Sequence, residues 1–435
     1  MPGGRGAPRR AQPRPPQGPR HTRAHRSHRV ARTVGLVALA GVTFATSAVA
    51  FSLLRWQGNV TRLPSVSELV VAPTPAPTAT RTPEEVATDP MAGRAVNLLV
   101  LGSDDRSGQN AVIAGAAPGG GSDTTMIVHL AADRSRVDVA AIPRDSRAII
   151  PACHLDWQAD GSMSSAQTAK FNKAFAIGWQ TGDPALAAAC TISTVQTMTG
   201  LTIDGFVIVD MAGFEGMVDA VGGVRVCVPE PLRDGRYTAL DLSAGWHDLQ
   251  GAQALDYVRA RHIAGTDGTD PGRIERQQRF IGALLRKVLS SDVLTSPVAL
   301  GRFLDAGTSS LMVSAELGDP RTMLGLAWPL RNLDSADFTF VTVPWVYGTG
   351  GYVDWTDDAA LLWSRLLGDE PVNPVPVVAA TPPAPVTPPP VTPPPDLPVR
   401  TPLPVAPAPV VPAPPAPKPD FVVRTADDPD AVLCG

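Results

Sequence analysis

Apolar positions along the chain follow three rhythms. Residues 34–54 (VGLVALAGVTFATSAVAFSLL) run for 21 positions without a charge, about 30 Å as a helix and enough to cross a bilayer. From residue 96 the apolar positions come in short blocks. Val96-Asn-Leu-Leu-Val-Leu101, closed by Gly102, has the pattern of a buried strand. Residues 125–130 and 136–142 predict two more strands, joined as a hairpin through 131–135. Asp183-Pro184 predicts a helix start as N-cap and first helical residue, and Gly200 its end. A strand over 206–210 leads into a helix over 211–220, and Gly222-Gly223 turns the chain into a strand containing Cys227. Helical periodicity marks 251–257, 273–289 and parts of 296–331; a strand at 338–343 and a helix at 357–367 follow. The third rhythm is proline: a Pro/Thr-rich run over 72–90, and 22 of the 46 prolines within 371–420. Such stretches lack backbone donors and cannot bury enough apolar surface to fold.

These rhythms divide the chain into a basic arm (1–33), a transmembrane helix (34–54), a linker (55–94), one folded domain (95–370) and a proline-rich disordered tail (371–435). The domain is expected to be a mixed α/β, α-β-α sandwich with a central sheet. Its roughly 275 residues are ample for a large core. A disulfide miniprotein and a collagen-like repeat are both excluded.

Charge sharpens the layout. The formal net charge of −4 hides nine Arg and no acid in 1–33, and 21 Lys+Arg against 32 Asp+Glu in 95–370. The positive-inside rule then predicts a single-pass protein of the cell membrane, with a cytoplasmic N-terminus and an extracellular domain. The alternative is a cleaved signal peptide, for which Ala48-Val49-Ala50 is the nearest processing site, but the run is longer than an ordinary signal core. The arm serves as a topology signal and a contact for anionic membrane lipid. Nucleic acid is not an expected partner, because the domain is acidic and faces away from it. In an oxidising compartment Cys153 and Cys190 can pair. Cys227 and Cys434 are read as structural thiols, and no CxxC suggests zinc.

Polar residues at strand ends carry the candidate chemistry, because open α/β sheets place sites there. Three such places are Gly102-Ser-Asp104-Asp-Arg106, Gly121-Ser-Asp123-Thr-Thr125 and Pro143-Arg144-Asp145. Asp104 and Asp123 suit Mg²⁺ or Mn²⁺, which take carboxylates together with phosphate oxygens; as turn formers at strand ends they are also ordinary. A denser cluster holds five arginines within 259–279. Arg259 and Arg261 share a face only where the chain is extended, whereas Arg273, Arg276 and Gln277 share one face of a helix. Arginine forks match phosphate geometry, so a convergent set suits a pyrophosphate. A solvated, salt-bridged helix face is the competing reading, although few acids are interspersed. His129, His154, His247 and His262 have no motif around them, and no nucleophile elbow, phosphate-binding lysine loop or dinucleotide fingerprint occurs. Arginines, carboxylates and a divalent ion imply phosphoryl-type transfer by positioning and charge neutralisation.

These residues resemble, in order, the motifs of the LytR-CpsA-Psr (LCP) family of bacterial cell-envelope enzymes. The resemblance covers about 95–290. It rests on Leu-Gly-Ser-Asp104-Asp-Arg106, Ser122-Asp123-Thr124, Ile142-Pro-Arg144-Asp145, Lys170-Phe-Asn172 and Gly213-Phe through Val218-Asp-Ala-Val-Gly-Gly223. It continues in Gly251-Ala-Gln-Ala-Leu-Asp-Tyr-Val-Arg259-Ala-Arg261 and Asp270-Pro-Gly-Arg273-Ile-Glu-Arg276-Gln277-Gln278. The resemblance implies transfer of a phosphate-linked glycopolymer from a polyprenyl-pyrophosphate carrier to peptidoglycan, at a muramic acid hydroxyl. It places the divalent ion on Asp104 and Asp123, and the phosphates on Arg106, Arg144, Lys170, Arg259, Arg261, Arg273, Arg276 and Gln277. Asp123, Arg144 and Asp145 become the catalytic set, with deprotonation of the acceptor open between Asp123 and Arg144. Ile208, Phe214, Val218 and Leu255 become candidates for a lipid tunnel. A sensor or scaffold that holds the carrier without transferring it, or an envelope-linked transcriptional regulator, is the alternative. Two departures stand out. Asp270-Pro271-Gly272-Arg273 lacks the family's aromatic residue, and 291–370 carries less of the pattern.

Overall fold

The computed structural model describes residues 22–70, 90–117, 119–157, 161–234, 238–261, 263, 270–290, 293, 296–372, 423–425 and 434. The chain separates into two compact units, Met1–Trp56 and Gln57–Gly435. The first is mostly helix α1 (Thr22–Asn59), continuous over 38 residues. Within it Val34, Leu36, Val37, Leu39, Val42, Phe51 and Leu54 are exposed. Among the described residues no helix is long and apolar enough to cross a membrane. The basic arm over 1–21 lies outside the described residues.

The second unit is built on an eight-stranded mixed sheet. Its strands are β1 (Thr61–Leu63), β2 (Val96–Ser103), β3 (Ser122–Leu130), β4 (Val137–Ile142), β5 (Gly205–Val209), β6 (Leu311–Ser314), β7 (Phe338–Thr342) and β8 (Val423–Thr425). Their order is β1-β6-β5-β2-β3-β4-β7-β8. The hairpin neighbours β2–β3 and β3–β4 are antiparallel, and β2–β5 and β4–β7 are parallel.

The continuous apolar run of β2 is explained by a sheet covered on both faces. Leu99 and Leu101 pack into one layer with Ile127, Ile142 and Phe206, under helices α2 (Pro184–Thr199) and α6 (Asp357–Leu367). The alternate residues Leu98 and Val100 pack into the opposite layer, with Ile274, Ile281 and Leu285 of helix α5 (Asp270–Leu289). A third cluster fills the space between α3 (Met211–Ala220), α4 (Gly251–Arg259) and α5, and includes Val218, Leu255, Tyr257 and Phe280. The start of α2 follows its sequence signals: the Asp183 side chain accepts from the Ala185 N–H, and Gly200 ends the helix at φ 73°. Gly222 and Gly223, at φ 81° and 92°, make the expected turn.

Three sequence expectations change. Leu311–Ser314 falls inside the stretch read as helical but is a strand paired with β5. Four residues are too few to show a period, and no breaker separates them from the preceding helix Pro297–Ser310. Val423–Thr425, assigned to the disordered tail, is the edge strand β8 on β7. Three residues beyond a proline tract carry no pattern of their own. Cys153 and Cys190 are joined, as expected in an oxidising compartment, and Cys227 is joined to Cys434 across 207 residues of sequence. The latter two are therefore not free thiols.

Candidate active site at the carboxyl ends of the central strands

The parallel strands β2, β4 and β5 deliver their carboxyl ends to one edge of the sheet, so the three strand-end motifs converge there. Asp123 reaches the site by a local irregularity. Gly102 pairs with Thr124 and Ser103 with Ser122, so Asp123 is an extra residue on β3. A bulge of this kind re-aims its side chain. The approach is close: a Cβ on Gly102 would stand 3.0 Å from the Thr124 Cβ.

Arg273, near the start of α5, is 1% exposed and is among the largest fully buried side chains. Its guanidinium donates to the Asp123 carbonyl at 2.5 Å and faces the Asp123 carboxylate at 3.4 Å. One turn on, Gln277 donates to Thr124 Oγ1 at 3.0 Å and to the Val258 carbonyl at 3.1 Å. Arg144 pairs with the other oxygen of Asp123 and lies 3.9 Å from Asp145. Asp145 also receives Lys170 at 2.8 Å and Arg261 at 3.9 Å. Asp104 lies 3.1 Å from Arg106 and 3.5 Å from Arg259. Six cations thus face three carboxylates in these ion pairs.

These groups sit at one end of an apolar cavity of about 230 Å³. Asp104, Asp123, Arg259, Arg273 and Gln277 line its polar end, and Phe214, Met217, Leu255, Phe280 and Leu284 its apolar walls. Of the four tunnel candidates, Phe214 and Leu255 line it. Ile208 instead faces the layer under α2, because side chains alternate along β5, and Val218 is enclosed in the third core cluster. Arg144, Asp145, Lys170, Arg261 and Arg106 lie beside the lining in the ion-pair network. Arg259 is the last residue of α4, which extends two residues beyond its expected end, and the extended backbone at Ala260 (ψ 132°) carries the chain to Arg261.

Arg276 departs from the expectation. Its guanidinium turns to the Ala260 carbonyl and supports the Arg259–Arg261 segment from behind. Burial pushes it below the usual arginine range. Arg279 pairs with Glu275 at 2.7 Å, outside the cluster. Two residues were missed. Asp210 caps α3 through the Gly213 N–H and lines the cavity; its place at a strand end before a helix was a usable signal. Asp234, fully buried, accepts from the Arg261 N–H at 3.0 Å; no local signal marked it.

Burial raises the Asp123 pKa, but the charges of Arg273 and Arg144, the Arg144 hydrogen bond and the charge of Arg261 outweigh it and hold the carboxyl below its usual value. A depressed folded-state pKa contributes stability that is present above the unfolded value of 3.8 and lost as pH falls through the folded value. Acid unfolding followed by circular dichroism should therefore show a loss of stability below about pH 4 that Asp123→Asn diminishes. An unchanged acid limb in that variant would contradict the ion-pair assignment.

A buried arginine fork and strand-end carboxylates thus meet at the head of an apolar cavity on an α-β-α sandwich. The chain belongs to the LytR_cpsA_psr family, whose model matches residues 72–359. It is 31% identical over 281 residues to the cell wall biosynthesis protein LcpA of Corynebacterium glutamicum, across 59% of this chain and 52% of that protein. It is 27% identical over 283 residues to the polyisoprenyl-teichoic acid–peptidoglycan teichoic acid transferase TagU of Oceanobacillus iheyensis, across 65% and 74%. The chain spans about half the length of the Corynebacterium relatives it matches. The crystal structure of protein gbs0355 from Streptococcus agalactiae has the same fold, with TM-score 0.50 at 22% identity over 63% of this chain and 88% of that one.

Proposed function

We propose that the protein transfers a phosphate-linked glycopolymer from a polyprenyl-pyrophosphate carrier to a muramic acid hydroxyl of peptidoglycan, outside the cell membrane. The observation that carries this reading is the meeting of Arg259 and Arg273, backed by the arginines of the ion-pair network, with an apolar cavity. A pyrophosphate neutralises the cations while an isoprenoid fills the space lined by Phe214, Met217 and Leu255. TagU, which this chain resembles, is named as a polyisoprenyl-teichoic acid–peptidoglycan teichoic acid transferase, which supports the coarser part of this reading. The apolar residues Val34, Leu36 and Leu39 of α1, exposed among the described residues, support the membrane anchor.

In the reaction the acceptor oxygen attacks the glycan-bearing phosphorus, the anhydride bond breaks, and polyprenyl monophosphate leaves, taking up the proton that the acceptor hydroxyl releases. Arg144, Arg259, Arg261 and Arg273 hold the phosphates and neutralise the charge that develops in transfer. Asp104 and Asp123 both line the cavity, and two carboxylates completed by phosphate oxygens form a donor set suited to Mg²⁺ or Mn²⁺. Such an ion would supply further charge neutralisation at the pyrophosphate. Asp123, held below the usual carboxylate range by its arginines, is a weak proton acceptor, so its part is electrostatic. Asp145, shared by Lys170, Arg144 and Arg261, orients the cations flanking the acceptor side.

The test combines the full-length protein in detergent with Mg²⁺, a polyprenyl-pyrophosphate glycan and peptidoglycan. Release of polyprenyl phosphate with glycan attached to the wall is the expected result, and Asp104→Ala and Arg259→Ala should each lower its rate about 10²-fold. Tight binding without turnover would favour the carrier sensor instead.

A further inference from the structure

Helix α5 supplies both Arg273 and Gln277, so its position sets the polar end of the cavity. On the site side it is held by the bonds from Arg273 to Asp123 and from Gln277 to Thr124 and Val258. On its other flank it is held by two side-chain bonds toward the sheet edge. Gln278 donates to Thr342 Oγ1 at 3.1 Å, and Glu275 accepts from Arg424 of β8 at 2.8 Å. Glu275 lies two residues from both Arg273 and Gln277, which puts it on the far side of the helix from them. Arg424 belongs to a segment separated from the rest of the domain by the proline tract.

That segment is fastened to the domain at three places. The β8 backbone pairs with β7 at Thr339↔Thr425, Phe340↔Arg424 and Val341↔Val423. The Arg424 side chain reaches α5. Cys434 is covalently joined to Cys227, on the strand Val224–Val228 of the third core cluster, which also contains Phe280 of α5. The other end of the proline tract is fixed as well. Val372 is fully buried, and three residues before it Asp369 accepts from Arg136, which directly precedes β4, at 2.7 Å. β8 lies two strands from β4 in the sheet order, so both flanks of the tract are tied to this side of the sheet.

We propose that the C-terminal segment is a clasp on helix α5, and that Arg424 is a positioning residue which acts through Glu275 on Arg273 and Gln277. The segment covers the otherwise open edge of β7 and supplies a cation to a helix whose opposite flank carries the site. The Cys227–Cys434 bond keeps it at high local concentration. The inference rests on the proposed site only for its consequence in activity; the clasp itself is read out without substrate.

The experiment compares the full-length protein with Arg424→Glu, Glu275→Arg and the double charge exchange. Hydrogen exchange of amides 274–282 is measured first. Each single variant should exchange at least tenfold faster there, and the double exchange should restore most of the protection, an effect that loss of a generic surface contact would not produce. With polyprenyl-pyrophosphate glycan as donor, the single variants should raise donor KM about tenfold with a smaller change in kcat. Cys434→Ser should shift exchange in the same direction. Unchanged exchange in Arg424→Glu, or a double variant no better protected than the singles, overturns the clasp. Altered exchange with no donor turnover by the parent protein would instead overturn the transferase reading and leave the clasp standing.

Discussion

Arg273→Ala should abolish most glycopolymer transfer, with a fall of about 10²–10³ in rate, the scale of removing one preorganised donor from developing charge. The reason lies in its surroundings. Arg273 is 1% exposed and holds both the carbonyl and the carboxylate of Asp123. Its loss removes one charge from the arginine cluster and unties the bulge that aims Asp123. Because the Asp123 side chain is 39% exposed, water will compensate part of the lost ion pair. The stability cost should stay near 1–3 kcal/mol, below the 3–5 kcal/mol of a fully buried broken pair. Arg273→Lys keeps the charge but loses the fork, and should recover stability more than rate. The check is single-turnover transfer together with a denaturation midpoint for each variant. Transfer by Arg273→Ala within threefold of the parent would remove this arginine from the phosphate site.

Met217→Trp should produce the second large effect, one that depends on the length of the lipid. Met217 lines the apolar wall of the cavity and is only partly buried, so a larger ring can be accommodated there at the expense of the open volume. Excluding two or three CH₂ groups of a bound isoprenoid costs about 2 kcal/mol, close to thirtyfold in donor affinity. A donor with a shortened isoprenoid does not reach that wall and should keep its affinity. Donor KM measured for both chain lengths separates the two cases. Equal loss for both donors would point to damage at the polar end, and no loss for either would place the lipid elsewhere.

How much of this was legible in the sequence depends on how local each signal is. The run Val96–Leu101, the Asp183-Pro184 start and Gly200 end of α2, the span of α3 and the Gly222-Gly223 turn all appear where the residue pattern placed them, since each depends on neighbours a few positions away. Strand β6 was hidden because its four residues follow a helix without a breaker, and pairing with β1 and β5 makes them extended. The same contrast runs through the site. Asp104, Asp123, Arg144, Arg259, Arg261, Arg273 and Gln277 were identifiable as residue types at strand and helix ends. Arg276 shared their helical face, yet its guanidinium is consumed by the Ala260 carbonyl, a partner that only folding brings near. Ile208 and Phe214 looked alike as apolar candidates, but strand alternation sends the first to the opposite layer.

By itself the sequence determined many of the local elements, the inventory of cations and carboxylates, and the family. These follow from periodicity, backbone chemistry and motif order, all properties of short range along the chain. The tertiary structure alone decided which charges meet, where the apolar cavity ends, that Asp123 stands out on a bulge, and that a segment beyond fifty unpatterned residues returns to complete the sheet. Each of these rests on contacts between residues distant in sequence, from the 150 positions between Asp123 and Arg273 to the 207 between Cys227 and Cys434. No local pattern encodes such contacts, because their energy exists only once both partners have been brought out of water together.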